Sequence, residues 1–538
     1  MDLHLASAWE LVADLVPEGD AVVQGARRLR WADYELQAAR VAGALADLGV
    51  GPATAVGLYL TNCPEYLLGQ FATLKVRGSP INVNYRYLDD ELAYLLDYTE
   101  TEVLVFHSSL AERVERVRPR LPRLRAVVEV DDGGPSLPDA LPFADLLRAD
   151  PAPRIDRPGS DIYMLCTGGT TGMPKGVMYG HHDFTAHQFR NRFGIHVPAS
   201  LEEVPDVVRI YLGRTREVAV PTCPLMHGTG MWAGAMAPQL RGGTVVLLES
   251  KSFDADELWA AVEREAVALV VIVGDPFARP MVRALEEAEA RGRPYDLSSV
   301  RVIVSAGSMW SAEVKEGLQR FTDALLIDAL GSTEGNTYAA RHKAPGAAAP
   351  TASFELTPGA RVVRDDGTDV EPGSAEAGIL ASPAIALGYF KDPVKTAATF
   401  REIDGRRYVL TGDWATVAAD GTVTLLGRGS QCINTGGEKV FPEEVEEAIK
   451  TQPGVDDCLV VGVPDERFGQ RVVAVVGSAG GGLGGDDVRE WVRDRLSGYK
   501  IPRQVVVVDR VQRAPNGKAD YGWARDVASR GVPNRADG

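Results

Sequence analysis

The segment 167–176 combines the residue types that hold a polyphosphate. It reads Thr-Gly-Gly-Thr-Thr-Gly-Met-Pro-Lys-Gly and follows the apolar run Ile-Tyr-Met-Leu at 162–165. Glycines let backbone N–H groups approach an anion closely, threonines add hydroxyl donors, and Lys175 adds a positive charge. The Walker pattern is not met, because Pro174 precedes the lysine and Gly176 follows it. The segment therefore predicts a phosphate loop of another kind, with a triphosphate as its ligand.

Further motifs with chemistry-bearing residues follow this loop along the chain. They are Pro-Leu-Met-His-Gly at 224–228, Gly-Ser-Thr-Glu at 331–334, Thr-Gly-Asp at 411–413, Gly-Arg at 427–428, Gly-Gly-Glu-Lys at 436–439, Pro-Glu-Glu-Val-Glu at 442–446 and Pro-Asn-Gly-Lys at 515–518. In this order they resemble the signatures of the adenylate-forming superfamily, which includes acyl-CoA synthetases, peptide-synthetase adenylation domains and luciferases. The resemblance extends from about residue 31 to residue 523. It implies ATP, Mg²⁺ and CoA as ligands and a small-molecule carboxylic acid as substrate.

Finer features point to one branch of that superfamily. Thr-Gly-Gly at 167–169, Gly-Asp-Pro-Phe-Ala-Arg-Pro at 274–280 and Gly-Arg-Gly-Ser at 427–430 are most similar to actinobacterial-type fatty-acid and steroid-side-chain CoA ligases. The resemblance therefore implies an ATP-dependent acyl-CoA ligase, which forms acyl-AMP and pyrophosphate and then transfers the acyl group to CoA.

The resemblance assigns the nucleotide to residues from several motifs. Lys175 and Thr170 would act on the phosphates during catalysis, and Glu334 would hold Mg²⁺ against phosphate oxygens. Asp413 would accept hydrogen bonds from the ribose hydroxyls, and Arg428 would donate to the same sugar. The other nucleotide-binding residues that the resemblance implies are Thr167, Gly168, Gly169, Thr171, Gly172, Ser308, Gly331, Ser332 and Thr333.

Two residues outside the phosphate loop are also implied in catalysis. Adenylation joins two anions, a carboxylate and the α-phosphate of ATP, so positioning and charge neutralisation must carry it. Lys518, in an exposed turn, would bridge the carboxyl oxygen and the α-phosphate. Because its charge comes from a different domain than that of Lys175, domain closure would complete the site. His227 would gate and orient between the acyl pocket and the acceptor channel rather than act as a general base.

The resemblance further implies an acid pocket, a CoA channel and a hinge. The pocket would be lined by Met231, Trp232, Phe277, Ala306, Gly307, Ser308 and Met309. The CoA channel would be lined by Gly436, Gly437 and Glu438. Two residues depart from the family's pattern: the hinge residue Ser430 stands where Asp or Lys is usual, and Asn434 stands where many relatives carry lysine. Since Gly-Ser-Met at 307–309 also departs from the usual Gly-Ala-Pro, the identity of the acid is not carried over.

Strand-like runs alternate with amphipathic helical stretches over most of the chain. This alternation predicts an α/β fold with layered, largely parallel sheets. Clear examples are the strand-like runs 55–60, 102–106, 269–273 and 300–305 and the helical stretch 255–265.

The pattern changes in the last third of the chain. Short strands separated by Asp-Gly turns predict a β-rich subdomain over 361–427. We predict a large N-terminal domain over 1–427, a hinge at 428–430, a small mobile α+β domain over 431–528 and a disordered tail over 529–538.

Composition excludes several classes of protein. The net charge is −17 and no Lys/Arg run is interleaved with aromatic residues, which argues against a nucleic-acid partner. The longest apolar run, 266–273, is too short to span a membrane, and we expect a cytoplasmic protein. The five scattered cysteines form no disulfide or zinc pattern, and we expect Cys166 to pack in the core rather than act in catalysis. A homodimer is left open.

Two other functions stay open at this point. A natural-product enzyme would adenylate an acid or nitrite and pass the activated group to an amine or a carrier protein, for example in diazo formation. A non-catalytic relative would only bind the nucleotide. Retention of Lys175, Glu334, Asp413, Arg428 and Lys518 argues against the second, and a large apolar pocket would argue against the first.

Overall fold

The computed structural model describes most of the chain. The described residues are 1–169, 172–190, 196–213, 216–308, 310–343, 353–374, 376–435, 438–465, 468–480, 482–496, 498–514 and 517–530. Within them the α-helices are Leu5–Leu15, Trp31–Asp47, Pro64–Lys75, Asp89–Tyr98, Ala111–Val117, Phe143–Leu146, His181–Phe189, Val204–Leu212, Ala237–Leu240, Ala255–Glu265, Asp275–Ala290, Ala312–Gln319, Pro393–Thr399, Pro442–Lys450, Gly485–Arg493 and Tyr521–Arg530.

A long mixed sheet forms the frame of the large domain. In spatial order its strands are Arg361–Val363, Ala377–Pro383, Arg406–Val417, Val423–Arg428, Ser353–Leu356, Asn336–Lys343, Leu325–Ser332, Val302–Ala306, Leu269–Ile272, Val218–Pro221, Thr244–Leu247, Asp20–Gln24 and Arg27–Arg30. Phe400–Ile403 pairs with Arg406–Val417 beside this path. The middle of the sheet is parallel, from Leu325–Ser332 to Thr244–Leu247.

Two smaller sheets complete the large domain. The first is parallel and contains the strands Ser79–Asn82, Ala55–Tyr59, Thr101–His107, Ala126–Val130 and Leu141–Pro142. The second is antiparallel and contains Gly388–Tyr389, Gly172–Gly180 and Ile162–Gly169.

The small domain has its own sheet and two cores. Its strands are Glu438–Val440, Ile433–Thr435, Gly469–Gly477 and Asp457–Asp465, with Gln504–Val508 parallel to Gly469–Gly477. One core contains the helix Pro442–Lys450, and the other contains the helix Tyr521–Arg530.

The predicted α/β architecture is confirmed, and the predicted elements agree closely in position. The helix Ala255–Glu265 has the predicted bounds, with the Asp254 carboxylate accepting from the Glu257 N–H at its start. The Asp-Gly turns at 404–405 and 420–421 separate the strands they were expected to separate, and their glycines have φ of +74° and +84°. None of the helices in the described part of the chain has the length and apolar composition that a membrane crossing requires.

Three features differ from the sequence predictions. The β-rich region begins at Ser353 rather than at 361, and it continues the large sheet because Ser353–Leu356 pairs with both Asn336–Lys343 and Val423–Arg428. Ser529 and Arg530 belong to the helix Tyr521–Arg530 rather than to a tail, since buried Ala528 anchors the last turn of this helix. The predicted tail residues 531–538 lie outside the described residues.

A π-helix, Thr229–Met236, lies against the carboxyl end of the central parallel strands. Glycines permit this close contact: a Cβ on Gly230 would lie 2.5 Å from the Pro224 carbonyl oxygen, and one on Gly234 would lie 2.6 Å from the Pro221 Cβ. Such turns of wider helix are frequent at functional sites. This one places Trp232 on the wall of the cavity described next.

Candidate active site

The phosphate loop is the turn of a β-hairpin. Ile162–Gly169 and Gly172–Gly180 pair antiparallel from Ile162 opposite Gly180 to Gly169 opposite Gly172, and Lys175 faces Thr167 across the ladder. Thr170 and Thr171 lie outside the described residues. The turn is thus held by strand pairing and not by a following helix, which separates it structurally from a Walker loop.

Tyr389 connects the loop lysine with the glutamate assigned to the metal. The Lys175 Nζ lies 5.8 Å from the centre of the Tyr389 ring. The Tyr389 hydroxyl donates a hydrogen bond of 2.7 Å to Glu334 Oε1. Sequence reasoning missed Tyr389; its only local signal is its place after Gly388, whose φ of +142° few other residues adopt.

The Gly-Ser-Thr-Glu motif is tied to the same hairpin. The Tyr179 hydroxyl donates to the Thr333 carbonyl oxygen, and the Gly335 N–H donates to Ser332 Oγ at 3.0 Å. Gly331, Ser332 and Thr333 line a cavity together with Thr167. The structure therefore brings the loop and this motif together, as the nucleotide assignment requires.

The two residues assigned to the ribose are neighbours on adjacent strands. Asp413 faces Arg428 in register. The Asp413 side chain is buried, and Thr411 Oγ1 donates to Asp413 Oδ2 at 2.5 Å. Neither residue lines the cavity, so a ribose site would lie beside it rather than in it. The side chain of Arg428 lies outside the described part of the structure.

Lys518 is held in a second tight turn, over 513–519. The Ala514 N–H donates to the Lys518 carbonyl oxygen, and the Gly517 N–H donates to the Ala514 carbonyl oxygen, both at 2.9 Å. Arg513 anchors the turn to the small domain through Asp457, with Nε–Oδ2 and Nη2–Oδ1 distances of 2.5 and 2.7 Å.

This lysine turn is docked on the large domain. A Cβ on Gly307 would lie 3.9 Å from Lys518 Cε, and one on Gly517 would lie 3.3 Å from Val273 Cγ1. Both glycines have positive φ, +89° and +73°. Lys518 consequently forms part of the cavity wall together with His227 and Gly307.

His227 is a neutral imidazole in this arrangement. Burial and the nearby Lys518 ammonium lower the pKa of His227 to about 3. Its Nε2 is buried and has no hydrogen-bond partner among the described residues. A neutral ring beside the lysine suits the orienting role predicted for it, which stays a prediction.

Two asparagines that sequence reasoning missed fix the backbone around His227. The Asn82 Nδ2 donates to the carbonyl oxygens of Cys166 and Met226 at 2.7 and 2.6 Å. Asn62 accepts from the Leu225 N–H at 2.8 Å. No motif marked these residues, because they come from another sheet and reach the site only through the fold.

The cavity has a volume of about 1190 Å³. Of the pocket residues predicted, Trp232, Ala306 and Gly307 line it, and Ser308 is not part of its wall. Met231 and Phe277 do not line it either. Met231 is buried in the core, and Phe277 packs 4.9 Å from the Phe253 ring.

Several remaining predictions fall on residues with little or no description. Met309, Gly436 and Gly437 lie outside the described residues, and Glu438 is described only as the first residue of the strand Glu438–Val440. Ser430 belongs to the short 3₁₀ turn Gly429–Gln431, which directly follows the strand Val423–Arg428. That position is suited to the predicted hinge.

Cys166 is a packing residue, as expected. Its side chain is buried beside the hairpin, and burial raises the pKa of its thiol to about 12. A thiol with so high a pKa carries almost no thiolate near neutral pH and is a poor nucleophile.

Comparisons with known proteins identify the family of the chain. Residues 9–390 match the family model described as "AMP-binding enzyme", and residues 444–518 match "AMP-binding enzyme C-terminal domain". The chain is 39% identical to a 3-oxocholest-4-en-26-oate--CoA ligase of Rhodococcus rhodochrous, over 98% of this chain and 96% of that one. It is 38% identical to a medium/long-chain-fatty-acid--CoA/3-oxocholest-4-en-26-oate--CoA ligase of Mycolicibacterium smegmatis, over 98% and 97%.

Among solved structures, the fold is similar to that of an anthranilate CoA ligase in complex with anthranoyl-AMP. The TM-score is 0.83 at 22% identity, and the match covers 98% of each chain.

Proposed function

The chain belongs to the AMP-binding enzyme family and is an AMP-forming acid–thiol ligase, and on that basis we propose that it activates a long apolar carboxylic acid and transfers it to CoA. One observation carries the proposal. Lys518, from the small domain, closes one end of a large cavity beside His227 and Gly307, next to the hairpin and the Glu334 motif.

The first half-reaction brings two anions together. The carboxylate attacks the α-phosphorus, the bond to the β-phosphate oxygen breaks, and acyl-AMP and pyrophosphate result. Lys175 and the hairpin neutralise the departing phosphates, while Lys518 neutralises charge that develops on the α-phosphate and the carboxyl oxygen. These charges need little reorganisation because Lys175 is fixed in a paired strand and Lys518 is fixed in a tight turn.

In the second half-reaction the CoA thiol attacks the acyl carbon and AMP leaves. We propose that the small domain rotates about Ser430 and that Gly436, Gly437 and Glu438 then line the thiol path. The fold permits this rotation because Lys518 docks through a turn and not through a continuous helix or strand.

The Glu334 carboxylate is suited to Mg²⁺. Mg²⁺ is usually bound by one or two carboxylates together with substrate phosphates, and it needs no cage of protein ligands. This agrees with the finding that the described residues contain no group of three or more His, Cys, Asp or Glu that could hold a metal. The Tyr389 hydrogen bond engages one oxygen of Glu334, so the other oxygen would be available to hold Mg²⁺, and the bound ion would neutralise phosphate charge.

The cavity supports a long acid over the small inorganic or aromatic substrates of the rival pathway. Its wall includes apolar side chains along its length, such as Trp232, Leu269 and Val304. The named relatives act on medium- and long-chain fatty acids and on a steroid acid, and we propose the same classes here. A cytoplasmic location and a homodimer stay predictions.

The test is a screen for acid-dependent pyrophosphate release, with and without CoA, across fatty, steroid and aromatic acids and nitrite. We expect long apolar acids to be activated and full turnover to require CoA. We also expect Gly437→Leu to release pyrophosphate in one turnover but to accumulate acyl-AMP, because its side chain would block the thiol. Full turnover without CoA, in a wild type that the variant matches, would favour the amine or nitrite pathway instead.

A further inference from the structure

We infer that the end of the cavity remote from Lys518 recognises a single uncharged oxygen, a ketone or hydroxyl, on the acid substrate, with Arg241 as the donor. The inference rests on the proposed function, since it requires the carboxyl group of the substrate to lie beside Lys518. It adds a specificity-determining residue at the opposite end of the molecule.

The cavity follows the parallel strands of the large sheet from end to end. Its wall includes Gly307, which directly follows the strand Val302–Ala306, and Arg301, which directly precedes it. Glu217 likewise directly precedes the strand Val218–Pro221. At about 3.3 Å per residue, a five-residue strand covers roughly 16 Å. Only a long acid with its carboxyl group at Lys518 can therefore reach the far end.

Arg241 lies at that far end with one donor unused. It is 6% exposed and lines the cavity. Its Nε and Nη2 each donate to the Glu217 carboxylate at 2.8 Å, but its Nη1 is buried and has no hydrogen-bond partner among the described residues. Buried donors without an acceptor are rare in folded proteins, because they lose water without compensation.

A second unpaired polar atom lies in the same region. The Tyr211 ring is 5.7 Å from the Arg241 guanidinium, and the Tyr211 hydroxyl donates to the Phe189 carbonyl oxygen at 3.3 Å. The end of the helix His181–Phe189 is thereby placed near Arg241. From this helix His187 also lines the cavity, and its Nδ1 is buried without a partner in the described part of the chain. Burial lowers the pKa of His187 to about 4, so its ring is neutral.

The charge balance favours an uncharged oxygen over a second carboxylate. Glu217 already pairs with two of the Arg241 nitrogens, so a substrate carboxylate would lie close to a like charge. Arg216, on the same wall, is engaged by the carbonyl oxygens of Gly242 and Asp20. Nη1 is the one guanidinium nitrogen of Arg241 with no partner among the described residues, and it can donate to a single acceptor oxygen.

The test compares two acids that differ only in the remote oxygen: 3-oxocholest-4-en-26-oate and cholest-4-en-26-oate. The readout is the ratio of their kcat/KM values for pyrophosphate release, which cancels differences in the amount of folded enzyme. We expect the wild type to prefer the oxo acid by roughly ten- to one-hundred-fold, the usual range for a hydrogen bond from a charged donor. The double variant Arg241→Gln/Glu217→Gln, which leaves no unpaired carboxylate, should lower the ratio to below about three-fold.

The control variant is Arg77→Gln. Arg77 makes the same two-nitrogen pair with Asp161, at 2.9 Å for both bonds, but lies outside the cavity wall, so the ratio should stay at its wild-type value. If the double variant does not fold, Arg241→Lys, which keeps a cation beside Glu217, should show a reduced ratio.

The outcomes separate this inference from the proposed function. A wild-type ratio near one, as expected for a far end that only holds water, overturns the inference alone. A double variant that keeps the wild-type ratio also overturns it. A wild type that releases pyrophosphate with neither steroid acid nor any fatty acid overturns the proposed function and this inference together.

Discussion

The two lysines assigned to catalysis are attached differently, since Lys175 lies in a paired strand and Lys518 lies in a tight turn. Lys175 lies in the second strand of a hairpin, Gly172–Gly180, which pairs with Ile162–Gly169 on one side and with Gly388–Tyr389 on the other. Lys518 belongs to the turn 513–519, which is anchored by Arg513 to Asp457 of its own domain and docks against Val273 and Gly307 of the other. Lys175 is therefore a fixed part of the large domain, whereas Lys518 reaches the site only when the small domain is docked.

This difference has a functional consequence. A charge that is needed only while two anions combine can leave once acyl-AMP has formed, and its departure opens the face that a thiol must approach. A charge that holds the nucleotide must stay. We therefore expect the two lysines, and the residues around them, to fail in different ways when they are altered.

The largest effect is expected for Lys518→Ala. Loss of the Lys518 ammonium group should lower the rate of acyl-AMP formation by roughly two to four orders of magnitude. Thioester formation from supplied acyl-AMP should fall much less, as measured by quenched-flow assays of each half-reaction. Equal losses in both would mean that Lys518 does not belong to adenylation alone.

Lys175→Ala should have a smaller effect, spread over binding and rate. We expect kcat/KM for ATP in pyrophosphate release to fall by roughly ten- to one-hundred-fold, because phosphate charge is neutralised less. Lys395 provides a matched control, since its Nζ lies 5.6 Å from the centre of the same Tyr389 ring but outside the phosphate hairpin. Lys395→Ala with a loss as large as that of Lys175→Ala would point to a general effect on the ring.

Asp413→Ala should weaken ATP binding by about 1–3 kcal/mol, because the ribose hydroxyls lose a charged acceptor. Lys518→Ala should leave the affinity for ATP nearly unchanged, because Lys518 acts in adenylation and not in nucleotide binding. Isothermal titration calorimetry on folded variants measures both. Unchanged ATP affinity in Asp413→Ala would refute the ribose assignment.

The smallest effect concerns pH and the docking of the small domain. Burial raises the pKa of Glu447 to about 7; Asp275 and Glu446 act in the same direction, whereas Lys450 and Lys315 oppose it. Asp275 and Lys315 belong to the large domain, so separation of the domains should lower the pKa of Glu447 toward its ordinary value of 4.5. The docked state then binds an extra proton between these values, and docking weakens as pH rises through 7.

Acyl-AMP formation in a single turnover should accordingly slow by a few-fold from pH 5.5 to 8, beyond any change shared with the variant Glu447→Gln. That variant should show a flatter profile. Glu490→Gln, an exposed carboxylate of the small domain paired with Arg493, should keep the wild-type profile. Identical profiles in all three proteins would remove Glu447 from the docking interface.

Residues in local motifs could be predicted from the sequence, and residues supplied by the fold could not. The helix Ala255–Glu265 and the Asp-Gly turns follow from short-range patterns. Tyr389 and Asn82 donate hydrogen bonds to Glu334 and to the Met226 carbonyl oxygen, which are far away in the chain, so no local sequence pattern predicts these contacts. The placement of Phe277 against Phe253, outside the cavity, also depends on packing between elements that the sequence alone does not orient.

The central claim is that the docked arrangement adenylates and must open before CoA can react. Arg283 and Asp456 lie on opposite domains, 3.5 Å apart between Nη2 and Oδ1. Replacing both by cysteine in a Cys432→Ser background and joining them with a bismaleimide would lock this arrangement, since the other native cysteines are buried. We predict that the locked enzyme forms acyl-AMP in one turnover at close to the rate of the unjoined variant but makes almost no acyl-CoA. Acyl-CoA formation at the unjoined rate, or loss of acyl-AMP formation, would contradict the account.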